Sequence, residues 1–103
     1  MARMLKHMVC VRFKPQASPG QIEEIEREFA RLPEVIDGIE EFEAGRNVSV
    51  EDKALGFTHL WLLTFRDQAA RDAYLPHPAH QAFSRKLSRV RDAVFVFDYL
   101  AGE

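Results

Sequence analysis

The sequence predicts an α+β fold, one four-stranded antiparallel sheet with its helices on a single face. Three observations lead to it. Runs rich in Val, Phe and Leu at residues 4–14, 57–65 and 93–99, with a shorter acidic run at 39–44, read as strands. Helical periodicity appears after residues 18, 67 and 77, each start marked by a capping residue or a proline. The resulting order, β-α-β-β-α-α-β, is the split βαβ, ferredoxin-like plan with one added helix.

Each element has a local reason. "MLKHMVCVRFK" (4–14) alternates and is rich in Val, Met and Phe, as a strand should be. Ser18-Pro19-Gly20-Gln21 opens the first helix, with a serine cap, proline at the first helical position and glutamine three residues after the cap. Ile22, Ile25, Phe29 and Leu32 follow at helical spacing, and Pro33 is expected to end the helix. Ile39 to Ala44 is a short acidic strand reaching Gly45, and "NVSVEDKALG" (47–56) is polar and turn-like. "FTHLWLLTF" (57–65) is the second strong strand. Asp67 caps a short helix bearing Ala70 and Tyr74, which Pro76 and Pro78 stop. A further helix runs from Pro78 to about Arg91, with Ala79, Phe83, Leu87 and Val90 on one side, and "AVFVFDY" (93–99) is the last strand. No repeat, linker or low-complexity tract divides residues 1–103, so one domain is expected.

Strand parity bears on assembly. In the first strand the odd residues are His7, Val9, Val11 and Phe13, and in the third His59, Trp61, Leu63 and Phe65. The even residues, Met8, Cys10 and Arg12, then Leu60, Leu62 and Thr64, are also mostly apolar. The last strand has Val94 and Val96 on one face and Phe95, Phe97 and Tyr99 on the other. A sheet with one wet face alternates apolar with polar, and this one does not. Helices cover only one face, so a homodimer packed sheet to sheet is expected to cover the other.

The remaining bulk properties exclude more than they assign. A net charge of −2 with both signs interspersed gives no electrostatic case for nucleic acid or an anionic membrane. Cys10 is the only cysteine, so no intrachain disulfide forms and a reducing, cytoplasmic setting is expected. The opening apolar run is cut by Arg12 and Lys14 and lacks the length to span a bilayer. No Gly-rich phosphate loop, G-x-S-x-G elbow or C-x-x-C pair is present.

The segments "LKHMVCVRFK", "GRNVSVED", "GFTHLWLLTF", "DAYLPHPAHQAF" and "VFVFDY" together resemble the stress-responsive A/B barrel (Dabb) family. The resemblance runs from about residue 4 to residue 99; its most specific parts are the first-strand histidine and the Y-x-x-H-P-x-H stretch. It implies a dimeric α+β barrel. His7, His59, Tyr74 and His80 match the positions at which a plant polyketide cyclase of the family carries its chemistry. There the tyrosine and helix histidine are the central pair, and two strand histidines line the same pocket. Some members also hold magnesium through backbone carbonyls after the first helix; the matching positions are Pro33, Ile36 and Ile39. Pro33 departs from the aliphatic residue expected there, and no metal is assigned.

The residues carry their own chemical argument. With Pro78 at the first helical position, His77 is the cap and His80 the third residue of the new helix. Partial positive charge at a helix N-terminus disfavours imidazolium, which biases His80 towards the neutral form that a general base needs. Tyr74 then supplies a phenol to hydrogen-bond a carbonyl oxygen while His80 takes a proton from the adjacent carbon. That is aldol or cyclisation chemistry on a polyketide-like substrate, without metal or organic cofactor. Tyr74 and His80 are the catalytic candidates, and His7, His59 and His77 the substrate-binding ones. His7 and His59 are expected to share a pocket with His80 and to orient Tyr74 or substrate. Three imidazoles can hold zinc, but "HPAH" is a proline-opened pair with no acidic partner in the local motif, and no metal is expected. The plainer reading makes these side chains structural, in a non-catalytic dimer that binds a small hydrophobic molecule or serves a stress response. A cofactor-independent oxygenase acting on an electron-rich phenol is a third.

Overall fold

The computed structural model describes residues 3–102. In chain order the elements are β1 (Leu5–Phe13), α1 (Pro19–Val35), β2 (Ile39–Arg46), β3 (His59–Phe65), α2 (Gln68–Tyr74), α3 (Pro78–Val90) and β4 (Arg91–Leu100). The strands form one antiparallel sheet in the order β2-β3-β1-β4, which is the ferredoxin-like arrangement. The two strongest apolar runs, β1 and β3, therefore lie at the centre, and the acidic β2 is an edge.

The caps work as the sequence requires. Ser18 Oγ accepts from the Gln21 N–H at 3.1 Å, while Gln21 Oε1 accepts from the Ser18 N–H at 2.9 Å. Asp67 Oδ1 accepts from the Ala70 N–H at 2.8 Å. Two boundaries differ from expectation. Helix α1 runs through Pro33 to Val35. A proline there removes only one hydrogen bond of the last turn, and buried Leu32 and Ile36, joined by an N–H···O bond of 2.9 Å, hold that turn in place. Helix α3 stops at Val90, and β4 starts at Arg91 without a loop.

Helix-facing positions follow the parity reading. Val9 pairs with Trp61, His7 with Leu63 and Val11 with His59, and all six are buried. They pack under Ile25, Phe29 and Leu32 of α1 and Phe83 and Leu87 of α3. The helices do not reach across the whole sheet. Val94 and Val96, on the helix side of edge strand β4, remain 39% and 53% exposed. On the outer face Leu60, Phe95, Phe97 and Tyr99 are each exposed by a third to a half, beside Met8, Cys10 and Leu62. Among the described residues no helix is long and apolar enough to cross a membrane.

Candidate active site

The break between α2 and α3 brings two candidate side chains, Tyr74 and His80, into contact. Tyr74 closes α2 and is 1% exposed. The chain turns at Pro76, and the His77 N–H donates to the Tyr74 carbonyl at 3.1 Å. His77 then caps α3, its Nδ1 accepting from the Ala79 N–H at 3.0 Å. One turn on, the His80 ring lies against Tyr74, with centroids 4.2 Å apart and planes inclined by 37°.

The partner of His80 fixes its tautomer. Nδ1 lies 2.9 Å from the Leu75 carbonyl oxygen, and a carbonyl only accepts, so the proton sits on Nδ1. In the neutral ring Nε2 then carries a free lone pair. Burial pushes the His80 pKa down; the Leu75 carbonyl opposes this, and charge on His7 and His77 adds to it. The direction is the one the helix terminus also favours, with burial as its main cause. Burial also pushes the Tyr74 phenol well above its ordinary range, which keeps the hydroxyl proton available for donation.

His7 approaches Tyr74 from the sheet. The two rings meet edge to face, with centroids 5.9 Å apart. His7 Nδ1 is 2.7 Å from Asp98 Oδ1 on β4, its direct partner in the ladder. Asp98 Oδ2 accepts from Arg71 Nη1 of α2 at 2.8 Å. A carboxylate accepting from Nδ1–H leaves Nε2 of a neutral His7 as an acceptor, the orientation logic of a histidine–carboxylate pair. Arg71 is held above its usual pKa by Asp98 and Asp72. Tyr74 thus stands between two imidazoles, one fixed by a backbone carbonyl and one by an ion pair.

His59 does not join them. It lies four residues along the ladder from His7, a separation of about 13 Å at the usual strand rise. Its own surroundings are Phe13, Trp61, Thr58 and Glu26. Nδ1 is 2.7 Å from Thr58 Oγ1; Nε2 is 3.4 Å from Glu26 Oε2, without hydrogen-bond alignment. Glu26 is itself clamped by Arg46 through contacts of 3.0 and 2.6 Å, which hold its pKa low. Burial lowers the His59 pKa, with Glu26 opposing and Arg46 assisting. His77 is occupied as a helix cap. The expected four-way convergence is therefore a group of three, His7, Tyr74 and His80.

Sequence reasoning missed Asp98 and Arg71. The available signal was a lone carboxylate in the apolar run "AVFVFDY". A concavity of about 670 Å³ lies between the outer sheet face and the segment 47–57; His59 is in its lining, and Tyr74 and His80 are not. Cys10, Leu60 and Phe95 form its floor, and Leu55 and Phe57 its wall. Arg12 secures that wall, donating to the Leu55 carbonyl at 3.1 Å and lying 5.4 Å over the Phe57 ring.

The family model for the stress responsive A/B barrel domain matches residues 5–101. The chain belongs to the Dabb family. Stress-response A/B barrel domain-containing protein HS1 of Arabidopsis thaliana is 36% identical over 95 residues, covering 92% of this Dabb chain and 87% of that protein. Olivetolic acid cyclase of Cannabis sativa is 27% identical over 95 residues, covering 92% and 94%. Among solved structures, a hydroxynitrile lyase from Passiflora edulis superimposes with a TM-score of 0.92 at 27% identity, covering 100% of this chain and 97% of that one. A ferredoxin-like protein from Jannaschia sp., described as dimeric, has a TM-score of 0.79 at 30% identity, covering 93% and 97%.

Proposed function

We propose that this Dabb chain acts as a homodimer, packed through its outer sheet face, that performs cofactor-free acid/base chemistry on a small carbonyl compound at Tyr74 and His80. The observation that carries the reading is the 4.2 Å contact between the two rings, with His80 Nδ1 committed to the Leu75 carbonyl. His80 Nε2 takes a proton from the carbon beside a carbonyl, and the Tyr74 hydroxyl hydrogen-bonds the oxygen on which enolate charge builds. The enolate carbon then adds to a second carbonyl, and the proton on His80 goes to the new alkoxide. His7, held by Asp98, positions Tyr74 or substrate. His77 contributes by capping the helix that carries His80, and His59 has no contact with the reacting atoms. Carbon–carbon bond chemistry next to an oxygen is shared by the cyclase and the hydroxynitrile lyase that the chain resembles.

The homodimer rests on the partly exposed Phe95, Phe97 and Tyr99 and on the dimeric state of solved relatives. A binding-only dimer is the second reading, favoured by the structural contacts that occupy two of the histidines, His77 as the cap of α3 and His7 on Asp98. Assays of linear poly-β-ketone cyclisation and of cyanohydrin cleavage separate the two. Turnover by the wild type that Tyr74→Phe and His80→Ala abolish, with melting temperature retained, supports the enzyme. Folded, dimeric wild-type protein inert towards both substrate classes supports the binding dimer.

A further inference from the structure

We infer that Trp61 is a partition inside the domain, separating the Tyr74–His80 site from the His59 cluster and limiting that site to short substrates. The inference rests on the acid/base reading above. On the helix-facing side of the sheet, the Val9–Trp61 pair lies between His7–Leu63 and Val11–His59 in the β1–β3 ladder. Trp61 is 1% exposed and stacks on Phe29 at 5.0 Å. Phe29 continues the wall to Phe83 at 4.6 Å. Phe83 lies three residues after His80 on α3, so both occupy one side of that helix.

Sheet, α1 and α3 are thus bridged by three buried aromatic rings. On one side of them stand His7, Tyr74 and His80. On the other are His59, Glu26 and Arg46, and Trp61 stacks directly on His59 at 5.8 Å. A substrate tail at Tyr74 cannot extend towards His59, because close-packed rings leave it no path. The open direction is along β4, where Val94 and Val96 are uncovered on the helix side beside Asp98. The ligand class that fits is a short aliphatic or small aromatic carbonyl compound. A long alkyl chain would have to lie on the solvent-exposed valines.

Imidazole NMR with aliphatic alcohols tests the partition without turnover. In the wild type, 1-butanol and 1-octanol should shift His80 and His7 together, while His59, which also borders the outer concavity, should show no shift that saturates with theirs. In Trp61→Ala, 1-octanol should shift His59 in step with His80, binding at least tenfold more tightly than to the wild type, while 1-butanol gains little. Phe83→Ala, which breaches the wall from the helix side, provides the same reading should Trp61→Ala fail to fold. Wild-type shifts of His59 and His80 by 1-octanol that follow one saturation curve overturn the partition, as does a folded wall variant in which no His59 shift follows that of His80. Failure of the acid/base reading is seen separately, as absence of carbonyl turnover by wild-type protein.

Discussion

Replacing Asp98 by asparagine keeps the side chain's size and removes its charge, which isolates the ion pair that holds His7. The carboxylate makes two contacts, 2.7 Å to His7 Nδ1 and 2.8 Å to Arg71 Nη1. A hydrogen bond to a charged group contributes about 1.5–3 kcal/mol. Asparagine retains one acceptor oxygen for Arg71, now without the opposite charge, and turns an NH2 donor towards His7 Nδ1, so the second contact survives only if the ring moves its proton to Nε2. The Asp98 and Arg71 side chains are 24% and 20% exposed, and water screens part of the loss. The expected destabilisation is about 1.5–2.5 kcal/mol, a fall in Tm of roughly 6–20 °C for a domain of this size. Urea titration of Asp98→Asn, His7→Gln and the double variant completes a cycle. The pair should show a coupling energy of about 1–1.5 kcal/mol. Strictly additive single-variant losses would refute the claim that Asp98 orients His7.

Tyr74→Phe removes one hydroxyl from a fully packed ring, so stability should change by less than about 1.5 kcal/mol while carbonyl turnover falls by about 100-fold or more; unfolding of this variant would mark the residue as structural. Burial depresses the folded-state pKa of both His59 and His80, so between those values and about 6.5 the unfolded chain binds more protons. Stability should therefore be fully present above that range and be lost on acidification through it, at up to ~1.4 kcal/mol per pH unit for each histidine. Urea midpoints measured from pH 7.5 to pH 5 check the sign, and a midpoint that rises on acidification contradicts it. Phe97→Asp sets a carboxylate among the exposed aromatics of the outer face on β4 and should convert the dimer to monomer in light scattering after size exclusion; an unchanged dimer would place the interface elsewhere.

The fold was legible because its signals are local. Caps at Ser18 and Asp67, the proline at 78 and the odd-residue parity of β1 and β3 each act within a few residues, and each appears where the pattern put it. Boundaries were less legible, since Pro33 is tolerated in the last turn of α1 by the packing of Leu32 and Ile36, which are buried by other elements. The site was half legible. Tyr74 and His80 are six residues apart, and the proline-broken turn between them is written in the sequence. His7 and Asp98 are separated by 91 residues and meet through the β1–β4 register, which parity alone does not set. Shared parity suggested that His7 and His59 met. Register sets them four positions apart along the ladder, and Trp61 occupies the gap.

Proton exchange at the carbon beside a carbonyl reports most directly on His80 as a base. Incubating a short 1,3-diketone or methyl ketone in D₂O with the dimer and following loss of the α-proton signal by NMR requires no knowledge of the natural substrate. Exchange well above the buffer rate, abolished in His80→Ala and strongly slowed in Tyr74→Phe, is the predicted result. Exchange at the buffer rate with folded wild-type protein across a panel of such ketones, or exchange unaffected by either substitution, would contradict it.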